Sequence, residues 1–214
     1  MGHDESMKRL TRILSVSIVV LFVTNPSAFG GPAEDYYLAG IGKAEKGSID
    51  DAISDFNKAI ELDPTLAAAY FARGLARQAK SDFRAAALDY TKAIQLKPDY
   101  YQAYDGRGIS KAAQGDFDGA LVDYNKAIQL NPEHARAYSN RGLAEFDKGN
   151  FDGALKDYNR AIELNPRSFA PFLNRGMVKE KMGDKKGASA DFTRAIELNP
   201  AARKIIESKG YSVK

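Results

Sequence analysis

Four arginines, Arg73, Arg107, Arg141 and Arg175, stand 34 residues apart, and five aspartates, Asp55, Asp89, Asp123, Asp157 and Asp191, keep the same interval. A guanidinium offers a rigid fork of donors that matches a carboxylate or a phosphate. Such a series can do one of two things. It can line a groove and grip anionic groups of a ligand, or it can pair with the aspartates and hold the chain together. The second explains why the carboxylate recurs with the cation, and it is the one expected.

Catalytic chemistry has no comparable seat. Cysteine is absent, which removes thiolate catalysis and disulfides together. Beyond residue 30 the only histidine is His134, in the connection "NPEHA", where a solvated ring is expected. No cluster has metal-ligand spacing, no Gly-rich loop could cradle a phosphate, and no serine has a histidine partner in a local motif. Asp50 and Asp51 read as first-turn residues of a helix, where negative charge is favourable. The chain is therefore expected to be non-catalytic, without cofactor or metal. Its 214 residues are 44% hydrophobic and 28% charged with a net charge of +3, and no run of five or six basic residues would track a phosphate backbone. Nucleic acid is not an expected partner.

The elements that position the charges follow from the same period. Pro64, Pro98, Pro132, Pro166 and Pro200 are each 34 residues apart, and "AIELDP", "AIQLKP", "AIQLNP", "AIELNP" and "AIELNP" close five units. In the fourth unit Tyr138, Gly142 and Phe146 share one helical face, Gly149 breaks the chain, and Ala154, Tyr158 and Ala161 form a second apolar stripe. Asn165-Pro166 ends that second helix, because proline disfavours helical geometry in the residue before it. Gly142 and Ala154 let the two backbones approach, with Tyr158 beside them. One such hairpin cannot bury both of its apolar faces, but stacked hairpins can.

The sequence resembles the tetratricopeptide repeat (TPR) family, whose pattern is an aromatic, then Leu-Gly, then an aromatic, and later Ala, an aromatic and Pro. In this chain the pattern reads Tyr138, Arg141-Gly142, Glu145, Ala154, Tyr158 and Pro166. It covers units 33–66, 67–100, 101–134, 135–168 and 169–202, preceded by a short linker at 31–32. Tyrosine or phenylalanine replaces the first tryptophan, arginine replaces the leucine in four units, and Lys43, Arg77, Lys111, Glu145 and Lys179 take the place of the middle aromatic. Residues 203–214 carry Ile206 and Gly210 in phase and read as a capping helix and tail. The resemblance implies an all-α superhelical solenoid of helix-turn-helix hairpins.

The ends of the array suggest a pairing scheme. Ala39 occupies the arginine's place in the first unit, so pairing within units would leave Asp55 alone. Pairing each aspartate with the basic residue 18 positions later leaves none over: Asp55 with Arg73, Asp89 with Arg107, Asp123 with Arg141, Asp157 with Arg175, and Asp191 with Lys209. The expected pairs thus join the second helix of one hairpin to the first helix of the next, specifying register more than adding stability.

What the resemblance implies about function is a concave face lined by the first helix of each hairpin. Carried over by repeat phase, that side holds Tyr37, Ile41, Phe71, Leu75, Asp105 and Ile109 in the first three units. Ser139, Leu143, Phe146, Leu173 and Met177 follow in the last two, with Asn140 and Asn174 placed to hydrogen-bond an extended peptide backbone, as asparagines there do in the family. Ile41, Leu75, Ile109, Leu143 and Met177 recur in phase and are open to being core as well as groove. Phe71 and Phe146 do not recur in kind, which makes them the better candidates for ligand contact. Tyr37 and Ile41 stand where some relatives hold a carboxylate-gripping lysine and asparagine, so that clamp is not supported. The expected partner is a protein or peptide segment.

Residues 1–30 have the order of a secretory signal peptide: a basic head with Lys8, Arg9 and Arg12, an apolar run of 11 residues from Ile13 to Val23, then helix breakers and small residues. The run is shorter than the roughly 20 residues of a spanning helix. Cleavage after Gly30 or after Ala33 would export the chain to a periplasmic or secreted location; retention would make it a membrane-anchored assembly factor. An accessory subunit of an enzyme complex is the other alternative.

Overall fold

The computed structural model describes residues 31–211, and every regular element in that span is a helix. They are α1 (Pro32–Glu45), α2 (Ile49–Leu62), α3 (Ala67–Ala79), α4 (Phe83–Leu96), α5 (Tyr101–Ala112) and α6 (Phe117–Leu130). The chain continues through α7 (Ala135–Asp147), α8 (Phe151–Leu164), α9 (Phe169–Lys181), α10 (Lys185–Leu198) and the short α11 (Ala202–Ser208). The fold class is all-α. The signal-peptide expectation lies outside the described residues.

Helix ends fall where the local chemistry puts them. Each second helix stops at a leucine two residues before its proline, and the intervening residues Asp63, Asn131 and Asn199 are extended. First helices end on Gly47, Gly149 and Gly183 with φ near +80° to +86°, and the amide of the following residue donates to a carbonyl of the last helical turn. In the second hairpin Ser81 takes this place with φ +62°, a conformation that costs a residue bearing a Cβ. The next helices start on side-chain caps: Asp82 accepts from the Ala85 amide, Asn150 from Gly153 and Asp184 from Gly187.

Two compact units divide the described chain at Gln114/Gly115, in the turn between α5 and α6. In the first unit α1 packs on α2 and α3 on α4, while α2 and α4 each pack on the first helix of the following hairpin. First helices also touch one another, α1 with α3 and α3 with α5, so they form one layer and α2 and α4 the other. The second unit repeats this with α7 and α9 as the shared layer, and α11 packs on α10 and α9. Ile206 of α11 is fully buried in the cluster of Phe172, Leu173 and Phe192.

Within four of the hairpins, those of Gly40, Gly74, Gly142 and Gly176, the glycine faces an aromatic ring. A Cβ on Gly40 would lie 2.6 Å from Phe56, one on Gly74 2.8 Å from Tyr90, and one on Gly142 3.0 Å from Tyr158. Ala52, Ala86, Ala154 and Ala188 are fully buried beside them. Small residues therefore set how closely the helices approach, and the ring fills what remains.

Candidate functional site

Three of the arginines, Arg73, Arg141 and Arg175, are structural and pair within their hairpins. Arg73 on α3 donates from Nε to Asp89 Oδ2 at 3.0 Å and from Nη2 to Asp89 Oδ1 at 2.6 Å, and Asp89 lies on α4 of the same hairpin. Arg141 makes the same fork to Asp157 at 2.8 and 2.6 Å, as does Arg175 to Asp191 at 2.8 and 2.5 Å. The expected scheme of pairs 18 residues apart is therefore wrong for Asp55 with Arg73, Asp89 with Arg107, Asp123 with Arg141, Asp157 with Arg175 and Asp191 with Lys209. Its premise failed at Asp55, which is not left alone: Lys43 of its own hairpin reaches Asp55 Oδ2 at 2.6 Å.

The contact between hairpins is made by the arginine's remaining nitrogen. Nη1 of Arg73 donates to Asn57 at 2.7 Å, Nη1 of Arg107 to Thr91 at 3.2 Å, and Nη1 of Arg141 and Arg175 to Asn125 and Asn159 at 2.6 Å each. Each acceptor sits two residues after an aspartate of the preceding hairpin, an in-phase signal that the sequence reading passed over. The guanidinium also lies 5.5 Å from the centre of the ring three residues earlier, at Tyr70, Tyr104, Tyr138 and Phe172. Replacement of tryptophan and replacement of leucine are thus one feature, an arginine laid on a smaller ring. Where Ala39 replaces the arginine, Tyr36 is left 41% exposed.

Basic residues in place of the middle aromatic have the same explanation. Arg77 reaches Asp89 at 2.9 Å and Lys179 reaches Asp191 at 2.8 Å, so those buried carboxylates hold two cations each. The fourth hairpin differs: Glu145 stands in that place and accepts from the Asn150 side chain at 2.9 Å. Asp157, 3% exposed, raises the pKa of Arg141 through their hydrogen bonds. An open depression of about 390 Å³ over this pair is lined by Tyr138, Lys156, Asn159, Arg160 and Glu163. Nε, Nη1 and Nη2 of Arg141 all donate to Asp157 and Asn125, so the arginine has little left for a ligand there.

First-helix faces differ between the units. In the first unit Tyr37, Leu75 and Asp105 are buried, which corrects their assignment to an open groove. Tyr37 packs on Phe56 at 6.2 Å, and Phe71 lies between Tyr90 at 5.8 Å and Tyr100 at 4.8 Å. Burial pushes Tyr37 up to about 12, and it raises the pKa of Tyr100 as well, with Tyr37 and Tyr101 adding to the latter shift. Aromatic side chains of the unit thus fill its own inner face; Ile41 and Ile109 are half-buried around them. In the second unit Leu173 is buried and also leaves the groove list, and half-buried Phe146 packs on Phe151 at 5.7 Å within the Tyr158 cluster. What stays accessible is Leu143, 41% exposed, with half-buried Ser139, Asn140, Asn174 and Met177.

His134 stands at the position before α7, makes no side-chain capping bond, and is half-buried. Among the described residues no group of three or more His, Cys, Asp or Glu side chains could hold a metal ion. No described helix is long and apolar enough to cross a membrane.

Comparison with known proteins bears on the repeats. Patterns described as tetratricopeptide repeat match residues 71–129, 106–169 and 171–201, and one described as TPR repeat matches 43–81. No curated protein matches by sequence. Among solved structures, MamA residues 41 to the end from Desulfovibrio magneticus RS-1 aligns with a TM-score of 0.71 at 21% identity, over 81% of this chain and 98% of that one. YrrB, described as a TPR protein with an unusual peptide-binding site, aligns at 0.65 and 21%, over 83% and 92%. The pilF protein of Pseudomonas aeruginosa aligns at 0.69 and 21%, over 84% and 86%.

Proposed function

Because this chain belongs to the tetratricopeptide repeat family, we propose that it is a non-catalytic scaffold that binds an extended peptide or protein segment on the first-helix face of its second unit. The observation that carries this reading is the accessible set Ser139, Asn140, Leu143, Asn174 and Met177, apolar surface with amides beside it on adjacent helices α7 and α9. A bound strand needs apolar contacts for affinity and amides for its backbone. The peptide-binding site named for YrrB supports the same use of the fold. In the first unit the equivalent layer is occupied by Tyr37, Phe71 and Tyr100, which leaves less room for a ligand.

Selection from a displayed library of random dodecapeptides tests the reading. The full chain should retain a reproducible set of sequences, and Leu143→Glu should lose them. Val122→Glu, at a side chain 67% exposed on a second helix, should keep them. Equal retention by both variants contradicts this location for the site. The export signal at 1–30 belongs to the same proposal: the scaffold works outside the cytoplasm, and mass spectrometry of the mature N-terminus should find cleavage near Gly30. A retained N-terminus would favour the membrane-anchored alternative.

A further inference from the structure

Helix α1 carries a stacking face with no described element stacked on it. In the second hairpin Ala69, Ala72 and Ala76 of α3 are buried in one cluster with Ala52, Phe56 and Ala59 of α2. That is the face by which a first helix sits on the hairpin before it. On α1 the same repeat phase places Asp35, Leu38 and Gly42. Among the described elements α1 packs only on α2 and α3. Asp35 is exposed, Leu38 is 52% exposed, and Tyr36 is exposed at the edge of the same face.

This face is not built as a solvated cap. A terminal repeat needs a polar outer surface, whereas here Leu38 and Tyr36 stand in the open. Gly42 lies within the helix, where glycine costs roughly 1 kcal/mol against alanine. A Cβ on Gly42 would meet nothing within 4 Å, so no neighbour in this chain requires the glycine, in contrast to Gly40 against Phe56. Asp35 in the first turn and the C-cap residue Lys46 lie about three turns apart, so they mark opposite ends of one stripe through Leu38, Ala39 and Gly42.

That stripe is complementary to itself. A two-fold axis lays it antiparallel on a second copy, so that Asp35 of each copy faces Lys46 of the other, while Ala39 and Gly42 let the backbones approach and Leu38 packs across. Parallel pairing would set like charges together. An isologous interface requires this self-complementarity. Head-to-tail stacking is closed off at the C-terminus, where α11 lies in the phase of a first helix, packs on α10 and buries Ile206 among Phe172, Leu173 and Phe192.

We propose that two copies of this chain pair through α1, antiparallel about a two-fold axis, burying Leu38 and joining Asp35 of each copy to Lys46 of the other. One helix from each copy makes an interface smaller than the roughly 1,600 Å² standard, so the dimer is reversible, with a dissociation constant in the micromolar range. The pairing does not depend on the peptide-binding reading. Where that reading holds, the dimer offers two sites to one multivalent ligand.

Sedimentation equilibrium across the micromolar range tests the pairing, on the full chain purified from an exporting host with the N-terminus that it carries there. A monomer–dimer equilibrium is expected, and Leu38→Glu should abolish it. Gly42→Gln, a better helix former, should raise the thermal midpoint at concentrations too low for pairing and still abolish the dimer by holding the helices apart. Asp35→Lys or Lys46→Asp alone should weaken pairing about tenfold, since two exposed ion pairs become repulsive. The double variant Asp35→Lys/Lys46→Asp should restore it. A chain that stays monomeric throughout, with residues 1–30 or another protein on this face, would overturn the proposal. So would a dimer that Leu38→Glu leaves intact, or a double variant that pairs no better than either single one.

Discussion

Removing one half of an arginine clasp should cost a large part of a hairpin's stability, and the size follows from the geometry. Asp157 is 3% exposed and accepts two charge-assisted bonds from Arg141, at 2.8 and 2.6 Å. No second cation stands by in this hairpin, because Glu145 occupies the place of Arg77 and Lys179. Asp157→Ala leaves a guanidinium whose side chain is 23% exposed without its carboxylate, and Arg141→Ala leaves a nearly buried anion. Each single substitution is expected to cost about 3 kcal/mol, the lower end for breaking a buried pair. The double variant should recover roughly 1.5 to 3 kcal/mol of the summed loss. Urea unfolding followed by circular dichroism gives the four stabilities of the cycle. A parallel cycle on Arg141 with Asp123 should give coupling under about 0.5 kcal/mol, the value for residues that do not touch. Coupling to Asp123 as large as that to Asp157 would refute the assignment of the clasp to a single hairpin.

Gly40→Ala and Gly142→Ala both place a methyl against a ring, at 2.6 and 3.0 Å. The tighter site should lose about 2 kcal/mol and the looser one less, because alanine's helix preference offsets part of the clash. Ser81→Gly should raise the thermal midpoint by relieving φ +62°, a gain of about 1 kcal/mol, whereas Gly149→Ser should lower it by a similar amount. Alkaline unfolding should begin above pH 10. Burial raises Tyr37 from 10.0 to about 12, so folding holds a neutral phenol that the unfolded chain would ionise. That contribution is complete below pH 10 and lost as pH rises to about 12, at about 1.4 kcal/mol per pKa unit. Tyrosinate absorbance and circular dichroism should change together over this range; ionisation of all tyrosines before any loss of helix would contradict it.

The fold was legible because each of its causes repeats. Proline positions, the glycine opposite an aromatic and the capping residues of the turns are local in sequence, and the structure realises them hairpin after hairpin. Partner choice for Arg73 or Arg141 was not legible, since residues 16 and 18 apart are equally allowed by period, and only packing decides which carboxylate the fork meets. Counting unpaired aspartates misled because it overlooked Lys43 as a cation. Groove membership was harder still. Repeat phase places Tyr37 and Asp105 on the expected side, but whether that side is open depends on Tyr100, whose aromatic ring comes from the end of a different helix and lies 4.8 Å from Phe71. Phase does not carry that information.

Site-specific photo-crosslinking tests the central claim most directly. A photoreactive side chain at Leu143 or Met177, on the face proposed to bind, should form adducts with polypeptide from the exported fraction, and one at Val122 should form few. Sequencing of the adducts should give a recurring extended segment. Adducts that form equally at Val122 and Leu143, or at Val122 alone, would contradict binding on the first-helix face of the second unit.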